Sequence, residues 1–203
     1  MRGKRKIGTF FIITGLLLIV AALSLIGYNL LDNYRAEQAA KHVLTALQEQ
    51  MADEGVEGNL ELPDYILNPD MEMPEVEIDG NYYIGILDMP SLGLSLPIIS
   101  EWSYPNLRIS PCRYSGSAYT GNFTIAGHNY TTAHFGPIRN LAAGDQIIFT
   151  DVEGRRFLYE VQVVEILEPT AVEDMLNDEW DLTLFTCTPG GQARTTVRCL
   201  KIG

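Results

Sequence analysis

The 203-residue chain sets 14 Lys and Arg against 26 Asp and Glu, a net charge of −12 at neutral pH. All 26 acids lie at Asp32 or later and four basic residues precede them, so residues 32–203 carry −16. So acidic a surface excludes binding to a phosphate backbone, which needs a basic face, and three cysteines are too few for a disulfide scaffold.

Arg2, Lys4, Arg5 and Lys6 stand before residues 7–31, a run of 25 without a charge. At about 1.5 Å per residue such a run crosses a ~30 Å hydrocarbon core. The basic flank predicts a cytoplasmic N-terminus and an external remainder. A cleaved signal peptide is the other reading. Its apolar core should run roughly 7–15 residues and end in an Ala-x-Ala-like site, whereas this run is longer and no such site follows it. The expected division is a basic tail over 1–6, an anchor over 7–31, a stalk and linker over 32–79, and a folded domain over 80–203.

Residues 33–51 are rich in Ala, Gln, Glu and Leu, with Val43, Leu47 and Met51 at helical spacing. They predict a helical stalk, with too few heptads to argue a dimer seam. Residues 52–79 hold Pro63, Pro69 and Pro74, ten acids and no Lys or Arg. That composition predicts a mobile tether; a lid folded over the active site is the alternative.

From residue 80 onward, short apolar runs alternate with turn signals. Strands are expected over 82–89, 92–98, 122–127, 146–151, 156–167, 181–187 and 194–202. Short helices are expected over 135–141 and 170–176, the second with Thr170 as N-cap and Glu173 three residues on. Seven or eight short strands in 124 residues predict an all-β fold, a small closed barrel or sandwich.

Cys187 is the last residue of its strand, before Thr188-Pro189-Gly190-Gly191. A thiol at a strand mouth can be reached; the competing reading is a small buried hydrophobe. Six residues separate it from Arg194. In a hairpin the two would face each other at the open end, about 5 Å apart. A guanidinium there can hold an oxyanion with fixed donors. Arg198 shares that face but lies about 13 Å further along, and is read as a solvated surface charge. His128 ends the run Phe123-Thr124-Ile125-Ala126-Gly127 and is well placed as an acid or base. His134, six residues on, is its rival, and His42 is a surface residue of the stalk. An odd cysteine count outside the cell suggests a free thiol plus at most one disulfide, which would then be Cys112–Cys199. The His and Cys do not cluster at zinc spacings, and no nucleotide-binding glycine loop occurs. No metal and no cofactor is expected.

These residues are familiar together. Thr183-Leu184-Phe185-Thr186-Cys187 resembles the Thr-Leu-x-Thr-Cys signature of sortases. Ala126-Gly127-His128-Asn129 resembles that family's strand-end histidine motif, and Arg194-Thr195-Thr196-Val197 its arginine strand. The resemblance covers residues 80–203 and implies a sortase-type closed β-barrel of about eight strands. It also implies cleavage of a Leu-Pro-x-Thr-Gly-like sorting signal between Thr and Gly, by thiol-protease-like chemistry. The acyl group would pass to an amine, from a peptidoglycan precursor or a pilin lysine. Carried over, Cys187 is the nucleophile, His128 the general acid and base, Arg194 the oxyanion or substrate clamp, and Thr186 a substrate-binding residue. The partners implied are surface proteins bearing the signal, the amine acceptor and the membrane, with no nucleic acid.

Departures bear on the class. No second apolar span follows, unlike many pilin-polymerising sortases, and the linker lacks an Asp-Pro-aromatic lid motif. Residues 168–181 are short for class B, yet Gly127-His128-Asn129 and Phe135-Gly136-Pro137 look class B-like, which makes the chain class B-like or unclassified. A cysteine transpeptidase of another family, a pilin-polymerising sortase and a catalytically silent anchored barrel remain as other readings. Residues 101–120 and 168–180 are expected to shape the substrate groove.

Overall fold

The computed structural model describes residues 2–53, 64–129, 134–177 and 179–203. It divides into two units, Met1–Arg35 and Ala36–Gly203. The N-terminal run forms helix α1 (Arg2–Asp53). Within it Phe10–Leu31 is long and apolar enough to cross a membrane, and its large apolar side chains are exposed.

The second unit holds nine strands: β1 (Val76–Ile78), β2 (Asn81–Met89), β3 (Leu94–Ile99), β4 (Cys112–Ser117), β5 (Gly121–Ala126), β6 (Gln146–Asp151), β7 (Arg156–Leu167), β8 (Leu182–Cys187) and β9 (Arg194–Lys201). They form one sheet in the order β1-β2-β3-β4-β5-β8-β9-β7-β6, and β6 also pairs with β2. That last pairing closes β2 to β9 into an eight-stranded ring with no free edge. β1 pairs only with the first three residues of β2. Closure depends on Gly85, which pairs with Asp151. A Cβ at Gly85 would lie 2.2 Å from the Thr150 carbonyl oxygen, so no side chain fits where the two backbones meet.

Alternation fills the ring. Ile84, Leu87, Ile125, Phe149, Phe157 and Leu184 belong to one buried cluster. Tyr83, Ile86, Ile99 and Cys112 belong to a second, which α1 covers with Val43 and Leu47. The stalk reading is therefore corrected for this stretch: two of its three periodic apolar residues are core. Burying a side chain of that size contributes roughly 1.5–3 kcal/mol, enough to hold this part of α1 on the sheet. His42 Nε2 also lies 3.3 Å from Asp79 Oδ2.

Residues 64–79 differ from a free tether as well. Helix α2 (Asp64–Leu67) carries Tyr65, stacked on Tyr119 at 4.7 Å. The Tyr119 hydroxyl donates to the fully buried Asp151 at 2.8 Å and accepts from Arg155 Nη1 at 2.9 Å. Arg155 in turn lies over the Tyr65 and Tyr119 rings. Met73 is buried in the main cluster. Acidic composition argued for disorder, but Tyr65 and Met73 supply apolar anchors. Residues 54–63 lie outside the described residues.

Three local expectations are corrected. Thr170 is not a cap: helix α4 (Val172–Met175) starts after Ala171 and has no side-chain cap. β4 was missed because Gly116 and two register shifts break its alternation. Helix α3 (Tyr104–Leu107), capped by the Ser103 hydroxyl accepting from Asn106 N at 3.1 Å, was also missed. All three cysteines are free. Cys112 and Cys199 sit three strands apart in the sheet order and in different clusters. At about 4.8 Å per strand that is beyond the ~7 Å Cα limit for a bridge.

Candidate active site

β8 lies between β5 and β9. On the antiparallel side Cys187 stands directly opposite Arg194, at the open end of the hairpin. On the other side β5 runs parallel to β8, with Ala126 opposite Phe185. Gly127 N donates to Phe185 O at 3.0 Å, which carries that register past the end of β5. His128 and Cys187 each come two residues after the Ala126–Phe185 pair. The parallel register therefore sets them level on neighbouring chains, roughly one strand spacing (about 4.8 Å) apart. The backbone positions of Cys187, Arg194 and His128 thus come to one end of the sheet although they span 67 residues of sequence.

The His128 turn is fixed from three directions. Phe135 N donates to His128 O at 2.9 Å. A Cβ at Gly127 would meet the buried Phe135 ring at 2.3 Å, so the ring occupies the space a side chain would need. Asn129 N donates to His128 Nδ1 at 3.2 Å. Asn129 Oδ1 lies 3.4 Å from the same nitrogen. Asn129 Nδ2 donates to Thr188 O at 3.4 Å, joining the chain after His128 to the chain after Cys187.

His134 is buried and left-handed (φ 65°). Burial, helped by the charge of His128, lowers its pKa to about 4. It is neutral at pH 7, whereas His128 is half-buried beside the thiol-bearing strand.

The two arginines of β9 have different surroundings. Arg194 is half-buried, and its Nη1 donates to Ala193 O at 3.2 Å and Gly191 O at 3.5 Å. Arg198 is not the solvated charge expected: it is 2% exposed. Its Nε donates to Glu165 at 2.8 Å, Nη1 to Thr183 Oγ1 at 3.1 Å and Met175 O at 3.3 Å, and Nη2 to Asp174 O at 2.6 Å. Strand spacing gave its distance from the mouth, but not that α4 folds over it.

Cys187, Thr186 and Arg194 open into a cleft of about 230 Å³. One wall is aromatic, Trp102, Tyr104 and Tyr114; the other is Pro169, Val172 and Met175. Residues 101–120 and 168–180 thus both contribute, and among the described residues of 64–79 none lines it. Tyr114 packs edge-on against Phe185 at 5.3 Å and Trp102 against Tyr114 at 5.6 Å. Thr186 is 3% exposed, and its hydroxyl has no hydrogen-bond partner among the described residues. An orphaned buried hydroxyl costs about 1–3 kcal/mol. Among the described residues no three His, Cys, Asp or Glu groups could hold a metal. Sequence reading missed Asn129 and the aromatic wall; the clustered Trp102, Tyr104 and Tyr114 were the available signal.

A sortase domain matches residues 87–202. The chain is similar to sortase A of Bacillus anthracis, 31% identical over 185 residues, covering 86% of this chain and 85% of that one. It is 27% identical to sortase D of Bacillus subtilis strain 168, covering 92% and 90%. Among solved structures its fold resembles that of a Clostridium perfringens sortase D5 transpeptidase, with a TM-score of 0.60 at 23% identity, covering 82% of this chain and 99% of that one.

Proposed function

The chain belongs to the sortase family of transpeptidases, and on that premise we propose that it is a membrane-tethered cysteine transpeptidase acting on Leu-Pro-x-Thr-Gly-like sorting signals. The observation that carries the reading is the flanking of Cys187 by Arg194 on one side and the His128 turn on the other, at the mouth of a cleft of about 230 Å³.

In the proposed reaction the Cys187 thiolate attacks the Thr carbonyl carbon of the signal. Negative charge develops on the carbonyl oxygen, where the Arg194 guanidinium offers fixed donors. Protonated His128 gives its proton to the leaving Gly nitrogen, the C–N bond breaks and a thioester remains. An amine then attacks the thioester carbon, His128 takes its proton, and the C–S bond breaks to restore the thiolate. Thr186, which lines the cleft beside Cys187, supports substrate placement there. The tail over 1–6 lies in the cytoplasm, residues 7–31 anchor the chain, and the domain over 80–203 works outside. The acceptor is an amine of the cell wall, and the donors are surface proteins bearing the signal. The class B likeness rests on Gly127-His128-Asn129 and Phe135-Gly136-Pro137, while the relatives cited carry the names sortase A and D.

The test is incubation of the full-length protein in detergent micelles with a panel of such peptides plus an amine, read by intact mass. An adduct on Cys187 that decays as amine-capped product appears is the expected result. No adduct with any peptide, while iodoacetamide still labels Cys187, would overturn the substrate reading.

A further inference from the structure

Helix α4 carries Val172 and Met175 into the wall of the cleft that faces Trp102, Tyr104 and Tyr114. Where α4 sits therefore decides how wide the cleft is. Little apolar packing holds it in place. Met175 is its one buried residue, neither core cluster of the described residues contains it, and Val172 is 42% exposed. A single helical turn also leaves its last carbonyls without partners of its own. The Asp174 and Met175 carbonyl oxygens accept instead from Arg198, from Nη2 at 2.6 Å and Nη1 at 3.3 Å. The same guanidinium is fixed to the sheet beneath. Thr183, directly opposite Arg198 in the β8–β9 ladder, accepts from Nη1, and Glu165 of β7 accepts from Nε. Four hydrogen bonds from one side chain thus tie α4 to three neighbouring strands.

We propose that Arg198 is a positioning residue for substrate selection: it holds the α4 wall opposite the aromatic wall, and so sets which apolar side chains the cleft accepts. The inference rests on the transpeptidase reading above and deepens it. Arg198 stands four residues along β9 from Arg194, about 13 Å from the cleft mouth. Its fork is engaged by α4, Thr183 and Glu165, so it reaches neither the thiol nor the scissile bond. Its influence on turnover passes through the place of α4. A lysine here keeps the charge, but a compact ammonium lacks the planar fork and cannot span Glu165, Thr183 and two carbonyls at once. With the wall released, the peptide loses contact on one side in the ground state and the transition state alike. KM then rises while kcat holds. Selection weakens as well, because a yielding wall no longer clashes with a bulkier side chain.

The experiment uses the full-length protein in detergent, below the melt of every variant, with hydroxylamine as a saturating amine. Two sorting peptides are compared that differ only in carrying Leu or Phe at the first position of the signal. The readouts are KM, kcat, the Leu-over-Phe ratio of kcat/KM, and hydrogen exchange of the backbone amides. In Arg198→Lys the KM for the Leu peptide should rise at least fivefold with kcat within twofold, and the ratio should fall at least fivefold. Exchange should quicken over residues 169–177 and stay at the wild-type rate over β2, β3 and β6. Faster exchange throughout the domain with KM and the ratio unchanged would mean a structural role alone and overturn the proposal. A fall in kcat at unchanged KM would overturn it too. Glu165→Gln guards against a lysine variant that does not fold, since Glu165 is part-exposed. It frees Nε and lets the fork swing, and should move KM and the ratio at least twofold in the same directions. An unchanged ratio in Glu165→Gln overturns the proposal whether or not Arg198→Lys folds. Absence of thioester in the wild type overturns the transpeptidase reading itself, whereas turnover with an unaltered ratio in the variants overturns this inference alone.

Discussion

Asn129 and Thr188 join the two halves of the site: the Asn129 side-chain amide donates to the Thr188 carbonyl oxygen at 3.4 Å, across 59 residues of sequence. The same residue donates its backbone N–H to His128 Nδ1. Asn129→Ala removes the tie and the Oδ1 beside Nδ1, but leaves the backbone donor. One such bond contributes about 0.5–1.5 kcal/mol. Transfer at saturating peptide should therefore fall about tenfold while the melting temperature moves little. An unchanged turnover would show that the strand ends hold their places without it.

Arg194 and Arg198 should fail differently. Arg194→Lys keeps the charge and loses the fork, and its partners are only turn carbonyls. Its loss should cost transfer roughly 10²–10³-fold with a near-normal thermal melt. Arg198→Met strands Glu165, Thr183 and two α4-side carbonyls. Glu165 is part-exposed and can turn to water, but the Thr183 hydroxyl and the two carbonyls are left unpaired at about 1–3 kcal/mol each, so the melting temperature itself should fall. Circular dichroism separates the two cases, and a wild-type melt for Arg198→Met would refute the structural role.

Thiol chemistry should be selective. Burial pushes the Cys112 thiol up to about 12 and raises Cys199 as well, whereas Cys187 is part-exposed at the cleft. Iodoacetamide near pH 8 should add one group to the native protein and three after denaturation, and none to native Cys187→Ala. Two adducts on the native protein would mean that a buried cysteine opens readily.

Acid should destabilise the domain through His134. Its folded pKa of about 4 lies below the ordinary 6.5, so between those values the unfolded chain binds a proton that the folded chain does not. Stability from this group is full above about pH 6.5, declines as pH falls and is lost below about 4. The most it can contribute is about 3 kcal/mol. His134→Asn, a residue that tolerates the left-handed backbone, should flatten the melting temperature between pH 7 and 4. An equally steep loss in that variant would place the acid sensitivity elsewhere.

Legibility in the sequence followed locality. β6 and β7 have the expected bounds because alternation and glycine turns are written in adjacent residues. The Cys187–Arg194 spacing is local in the same way, since a six-residue turn leaves few registers. β4 was hidden because its partners are set by bulges, and β1 by the acids around it. The aromatic wall, the burial of Arg198 and the Asn129 bridge depend on segments tens of residues apart. No window of sequence contains both ends of such a contact.

The turn between β8 and β9 is closed on itself. Thr188 N donates to Ala193 O at 2.9 Å, Ala193 N to Thr188 Oγ1 at 3.1 Å, and Gly191 N to Thr188 O at 2.8 Å. Pro189 to Gln192 are exposed. Evolution or an engineer could therefore lengthen or graft the tip at Pro189–Gln192, beside the cleft mouth, while Thr188 and Ala193 clamp its base and keep thiol and guanidinium opposite one another. Substrate range could then diversify there without retuning the chemistry.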